Sequence, residues 1–173
     1  MNSIVRFYSV VAPDDQGRWL VDIQRWDDDR LEARHDFIQW LFPLPEPSPV
    51  NPSAPVLDTE TIQAFRERAD LREALKRSFI RMILFYGFEM EEGENPVVRP
   101  SPRFQQAAAN WLAPGNHNHL RITRILRATT LLGLEPYAEA FLAALRNVYE
   151  TQQGRRSISV TSLQYWALAL SGS

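Results

Sequence analysis

Histidine and arginine side chains between residues 117 and 124 have the types and spacing needed to bind an anion. His117, Arg121 and Arg124 follow one another at intervals of four and three residues, which places them on one face of a helix. The first N–H groups of a helix have no intrahelical partner and, with arginine beside them, suit a carboxylate or a phosphate. The sequence therefore predicts a site for a peptide or a small anionic ligand at this helix start, with His117, Asn118, Arg121 and Arg124 as binding residues.

A second interpretation of these arginines is that they pair with acidic side chains of the N-terminal half. Residues 1–98 carry 11 basic and 18 acidic side chains, a balance of −7, whereas residues 99–173 carry 8 and 3, a balance of +5. Attraction between the two halves and attraction to an anionic partner both fit this asymmetry. The charge pattern alone does not decide between these two interpretations.

The histidines also allow an enzyme hypothesis. His35, His117, His119 and the run Asp27–Asp29 include the residue types of a metal-dependent or acid–base centre. However, His35 falls in helical phase with Leu31, which predicts a hydrogen-bonded core residue, and helix capping accounts for the aspartates. No phosphate loop, nucleophile elbow or zinc-binding helix motif occurs in the sequence. We therefore predict a protein that is not an enzyme, with no catalytic residue, no metal and no cofactor.

Composition narrows the class of protein. A chain of 173 residues with 45% hydrophobic content and five tryptophans suits one globular domain over residues 1–173. The absence of cysteine excludes disulfides and thiolate chemistry. Residues 1–6 do not resemble a signal peptide, and no apolar run approaches the roughly 20 residues of a membrane span, so we expect a cytoplasmic protein. The net charge of −2 argues against a nucleic-acid partner, and the oligomeric state is not predicted.

Apolar residues at helical spacing predict an all-α fold of about seven helices. The opening residues 4–11 alternate weakly and are expected to be extended. A central helix is predicted over residues 29–42, with Ile38, Leu41 and Phe42 buried. Six prolines predict a connecting strap over residues 43–57, and glutamate with proline predicts an exposed loop over 88–101.

Two dense strings carry a resemblance to a known family. They are His-Asp-Phe-Ile-Gln-Trp-Leu-Phe-Pro-Leu at 35–44 and Asn-His-Asn-His-Leu-Arg-Ile-Thr-Arg-Ile-Leu at 116–126. They closely resemble the conserved region of the opioid growth factor receptor family. The resemblance implies a binding module for an enkephalin-type peptide. We predict that it is non-enzymatic and that Gln39 and His35 are also among its binding residues. Animal relatives are associated with the nucleus and the membrane, whereas the compact length resembles the bacterial branch.

Overall fold

The structure, a computed structural model, describes residues 1–171 and is mainly helical. Helices account for 56% of it, and the described part contains eleven helices and one two-stranded sheet. The all-α prediction therefore holds for most of the chain, but it missed the sheet and underestimated the number of helices. The chain divides into two compact units, Met1–Arg81 and the residues from Met82 onward. Among the described residues, no helix is both long and apolar enough to cross a membrane.

The first unit is built from short helices followed by one long helix. They are α1 (Ser3–Tyr8), α2 (Leu20–Ile23), α3 (Asp28–Ala33), α4 (Ile38–Leu41), α5 (Thr59–Glu67) and α6 (Ala69–Phe85), and the boundary between the units falls within α6. Asp58 caps α5, because its carboxylate accepts a hydrogen bond from the N–H of Thr61 at 2.7 Å.

The opening segment is helical, which corrects the expectation of an extended strand. The Asn2 side chain accepts a hydrogen bond from the N–H of Ile4 at 2.8 Å and so caps α1. Ile4, Phe7 and Tyr8 are buried, at the spacing of one helix face. The Tyr8 hydroxyl donates to the carbonyl of Leu41 at 2.5 Å, which ties α1 to the end of α4.

The predicted helix over residues 29–42 is broken into α3 and α4. Asp27, and not Asp29, caps α3, and the chain becomes extended at Arg34 (φ −102°, ψ 138°). Tertiary contacts stabilise the break, because the guanidinium of Arg18 donates to the carboxylate of Asp36 at 2.8 Å. His35 lies exposed in this break, which corrects its expected place on an apolar helix face. The predicted burial of three residues is confirmed, with 3%, 1% and 0% exposure for Ile38, Leu41 and Phe42.

The proline-rich strap over residues 43–57 contains no helix or strand. The N–H of Leu57 donates to the carbonyl of Leu44 at 2.9 Å, so the two ends of the strap lie together. Midway along it, the Asn51 side chain donates to the carbonyl of Asp36 at 3.2 Å. These bonds hold the strap against the segment that joins α3 and α4.

The second unit begins with a hairpin and continues with five helices. They are β1 (Phe88–Glu91), β2 (Val97–Pro100), α7 (Phe104–Ala108), α8 (Asn118–Leu131), α9 (Glu135–Tyr149), α10 (Gln152–Ser157) and α11 (Val160–Ala169). The central helix α8 packs against α9 and α11, and β2 packs against α9. The helix predicted from the string beginning at His117 is therefore the centre of this unit.

Residues 88–100 form the hairpin where an exposed loop was predicted: most of these residues are exposed, but the two strands replace the expected loop conformation. The strands are antiparallel, with Phe88 opposite Pro100 and Glu91 opposite Val97. Phe88 is completely buried, and the Arg99 side chain donates across the strands to Glu89 at 3.2 Å. A strand of four residues is too short for alternation to be recognised among glutamates and prolines.

Helix α10 was also missed, because Gly154 suggested a break between helices. Thr151 caps this helix by accepting a hydrogen bond from the N–H of Gly154 at 3.0 Å. A Cβ atom at Gly154 would lie 1.9 Å from the carbonyl oxygen of Val148, so glycine allows α10 to approach the end of α9. Ser159 then caps α11 by accepting a hydrogen bond from the N–H of Ser162 at 2.9 Å.

Candidate functional site

The loop between α7 and α8 determines which N–H groups at the predicted anion site are already hydrogen-bonded. The Asn116 carbonyl oxygen Oδ1 accepts a hydrogen bond from the N–H of Asn118 at 2.9 Å, and its amide donates to the carbonyl of Asn110 at 3.1 Å. One of the N–H groups at the start of α8 is therefore satisfied by the chain itself.

Asn118 is completely buried and hydrogen-bonded through both ends of its amide. Its Oδ1 accepts from the Tyr86 hydroxyl at 3.3 Å and from the Arg121 guanidinium at 3.5 Å. Its Nδ2 donates to the carbonyl of Asn110 at 3.2 Å. This predicted ligand-binding residue joins α8 to the end of α6 and to the α7–α8 loop.

The predicted face of α8 is divided between interior and surface. Arg121 is only 6% exposed and its guanidinium lies beside Asn118, whereas His117 is exposed and Arg124 is partly exposed. A guanidinium is buried at such a depth only when hydrogen bonds compensate the loss of hydration. Of the four predicted residues in this unit, His117 and Arg124 are the accessible ones.

His119 is a core histidine. Its Nε2 donates to the carbonyl of Trp111 at 2.8 Å, and its own carbonyl accepts from the Trp166 indole at 3.0 Å. The imidazole meets both indole rings edge-on, at centroid distances of 6.4 and 5.8 Å. Burial lowers the pKa of His119 below its usual value, so the neutral ring donating from Nε2 is favoured.

We expect the folded state to lose stability as the pH falls below the usual histidine pKa of about 6.5. The folded-state pKa of His119 is lowered, so the unfolded chain takes up a proton first and is favoured as the pH falls towards the folded-state value. His119→Gln keeps a donor at the position of Nε2 but cannot titrate. Urea unfolding between about pH 7.5 and pH 5.5 should show a shallower pH dependence for this variant. An unchanged slope would assign the pH dependence to other groups.

The contacts around α8 form one buried polar cluster. We define it by its members: Tyr86, Asn110, Trp111, Asn118, His119, Arg121 and Trp166. The indole of Trp111 donates to the carbonyl of Tyr86 at 2.9 Å and so closes the cluster around Asn118. Sequence analysis missed Tyr86, Trp111 and Trp166, because no spacing rule connects residues that are 25 to 47 positions apart.

The other two predicted binding residues lie in the first unit. Gln39 is 3% exposed, and its carbonyl oxygen accepts from the Asn51 amide at 3.4 Å. His35 lies exposed in the break between α3 and α4. The structure thus connects Gln39 to the proline-rich strap and leaves the His35 side chain on the surface.

Two aspartates of the run that the enzyme hypothesis invoked, Asp27 and Asp28, stabilise the fold. Asp27 caps α3 by accepting from the N–H of Arg30 at 2.8 Å, and Asp28 pairs with Arg81 at 2.6 Å. Within residues 1–171, no group of three or more histidine, aspartate or glutamate side chains is arranged to hold a metal ion.

An ion-pair network in the first unit was not anticipated. The Arg18 guanidinium binds Asp14 at 2.7 Å and Asp36 at 2.8 Å. Desolvation alone would raise the pKa of Asp36, but the hydrogen bond and charge of Arg18 outweigh it and lower the pKa. The spacing of Asp14 and Arg18 was a possible signal, but only the break before α4 brings Asp36 to them.

Known proteins are similar in sequence to most of this chain. The family described as "Opioid growth factor receptor (OGFr) conserved region" matches residues 6–172. The rat opioid growth factor receptor is 38% identical over 157 residues, which is 89% of this chain and 27% of the relative. The human opioid growth factor receptor is 40% identical over 124 residues, 70% of this chain and 18% of the relative.

A second group of relatives is more distant but covers nearly the whole chain. The mouse opioid growth factor receptor-like protein 1 is 29% identical over 97% of this chain and 36% of the relative. No solved structure matches. The chain spans about a quarter of the length of the receptors it matches, 27% of the rat protein. The family match extends from Arg6 through the last helix, α11. The chain therefore belongs to the opioid growth factor receptor conserved-region family.

Proposed function

We propose that this chain is a non-enzymatic binding module for a short peptide of the enkephalin type. The observation that carries the proposal is membership of a family whose relatives are named opioid growth factor receptors, at 37–40% identity. Those relatives are several times longer than the matched region, so peptide binding is a proposal for this chain.

The proposal assigns the peptide's C-terminal carboxylate to the accessible part of the α8 start. His117 and Arg124 are seven residues apart and are the polar side chains of the predicted face that reach solvent. Arg121 supports them indirectly as a positioning residue, because its guanidinium lies beside buried Asn118. Arginine binds a carboxylate through two parallel hydrogen bonds, which favours a free C-terminus over an amide.

We expect calorimetric titration to show that a short enkephalin-type peptide binds more tightly with a free than with an amidated C-terminus. The expected loss on amidation is about tenfold, the effect of one charge-assisted hydrogen bond, and it should shrink at high salt. Arg124→Gln should weaken binding of the free peptide by a similar factor and abolish the difference between the two forms.

A matched control is available in the same unit. Arg146 is exposed on α9 and is not one of the predicted binding residues, so Arg146→Gln removes the same charge from a different helix and should leave binding unchanged. Equal affinity for the free and amidated peptides would contradict carboxylate recognition. Absence of binding by either form would contradict the peptide-binding function itself.

A further inference from the structure

Arginine makes up half of the residues that line a cleft in the first unit. The cleft has a volume of about 420 Å³ and is lined by Gly17, Arg18, Asp22, Arg25, Trp26 and Arg30. This concentration of positive charge is unexpected, because residues 1–81 carry 11 basic and 14 acidic side chains, a balance of −3. The cleft shares no residue with the surface assigned above to a peptide.

Two of these arginines are held in position by other side chains. The Arg30 guanidinium lies over the Trp26 ring, with its Cζ 4.3 Å from the centroid, a cation–π distance. Arg18 is fixed by Asp14 and Asp36, and its Cζ lies 5.6 Å from the same ring. Trp26 itself is only 7% exposed and packs edge-on against Phe37. The cleft wall is therefore ordered before any ligand arrives, which lowers the entropy cost of binding.

The charges of Arg25 and Arg30 are not neutralised within the structure. In residues 1–171, no carboxylate lies within ion-pair distance of either guanidinium. Arg18 differs, because both of its partners are carboxylates. The cleft thus presents two arginine forks whose donors are available, next to a third arginine whose charge is compensated.

We propose that this cleft binds an oxyanion, a phosphate or carboxylate group, through Arg25 and Arg30. Two planar guanidinium groups around one cleft can form bidentate hydrogen bonds to such a group. Asp22 also lines the cleft and opposes the anion with its own charge. Among the residues that line the cleft, the arginines outnumber this one carboxylate, and Arg25 and Arg30 are the two whose charges no ion pair within residues 1–171 compensates.

Nuclear magnetic resonance titration of the labelled full chain tests this inference. Inorganic phosphate and acetate serve as probes, with sodium chloride at matched ionic strength as the reference. We expect at least one of the two probes to cause saturable chemical-shift changes in the residues that line the cleft, including their arginine Nε–H groups. Tighter binding of phosphate identifies a phosphorylated ligand, and tighter binding of acetate identifies a carboxylate ligand.

Substitutions in the cleft should change anion affinity in opposite directions, depending on the charge they remove. Arg25→Gln and Arg30→Gln should each weaken binding about tenfold, whereas Asp22→Asn should strengthen it severalfold by removing the opposing charge. The control Arg6→Gln removes an exposed arginine of the same unit that does not line the cleft, and it should change nothing. Arg25 makes no ion pair, so its variant should fold normally even where loss of the Trp26 contact disturbs Arg30→Gln.

The proposal is overturned by shifts that grow linearly with either probe or match those in sodium chloride. If Arg6→Gln weakened anion binding as much as Arg25→Gln, the proposal would also be overturned, because the anion would then respond to the net charge of the protein and not to the cleft. Weaker phosphate binding by Asp22→Asn would also contradict it. None of these outcomes depends on whether a peptide binds at α8.

Discussion

Replacing Trp111 by alanine is expected to lower the free energy of unfolding by about 3–5 kcal/mol, the usual cost of truncating a buried large aromatic residue. Trp111 is completely buried and packs edge-on against Tyr86 at 5.8 Å between ring centroids. The substitution also removes the buried hydrogen bond from the Trp111 indole to the carbonyl of Tyr86. Urea or thermal unfolding of the purified chain measures the loss.

Tyr165→Ala is the matched control for this prediction. Tyr165 is an aromatic residue of α11 with 58% exposure, so its truncation should change the free energy of unfolding by less than about 1 kcal/mol. Similar losses for the two variants would show that Trp111 is not the anchor of the buried polar cluster.

Replacing Asn118 by alanine is expected to cost about 2–4 kcal/mol of unfolding free energy. The substitution removes the acceptor Oδ1, which the Tyr86 hydroxyl and the Arg121 guanidinium contact, and the donor Nδ2, which binds the Asn110 carbonyl. Loss of a hydrogen bond costs about 1 kcal/mol, and about 1.5–3 kcal/mol when one partner is charged. Chemical denaturation measures the change, with circular dichroism to confirm that the variant folds.

The Asn118→Ala result also distinguishes a structural role from a ligand-binding role for the polar residues of the string at 116–126. Asn147→Ala on α9 removes the same side chain from an exposed position and should be nearly neutral. If Asn118 served only to contact a ligand, Asn118→Ala would leave stability unchanged and reduce binding alone. A loss of stability far above that of Asn147→Ala would assign the residue to the framework of α8.

The mainly helical character of the fold could be predicted from the sequence alone. Apolar spacing predicted a mainly helical chain, the helix that begins near His117 and the burial of Ile38, Leu41 and Phe42, because these signals act within one or two helical turns. The two dense strings also identified the family before any contact was known, since a family resemblance depends on residue order alone.

Tertiary structure decided what the polar residues of those strings do. His117, Arg121 and Arg124 lie on one face of a helical projection, yet Arg121 is buried beside Asn118 whereas His117 is exposed. The break before α4 likewise depends on Arg18 and Asn51, which are distant in sequence from Asp36. Partners separated by tens of residues leave no periodic signal, so only the folded chain shows which polar groups are paired inside and which face solvent.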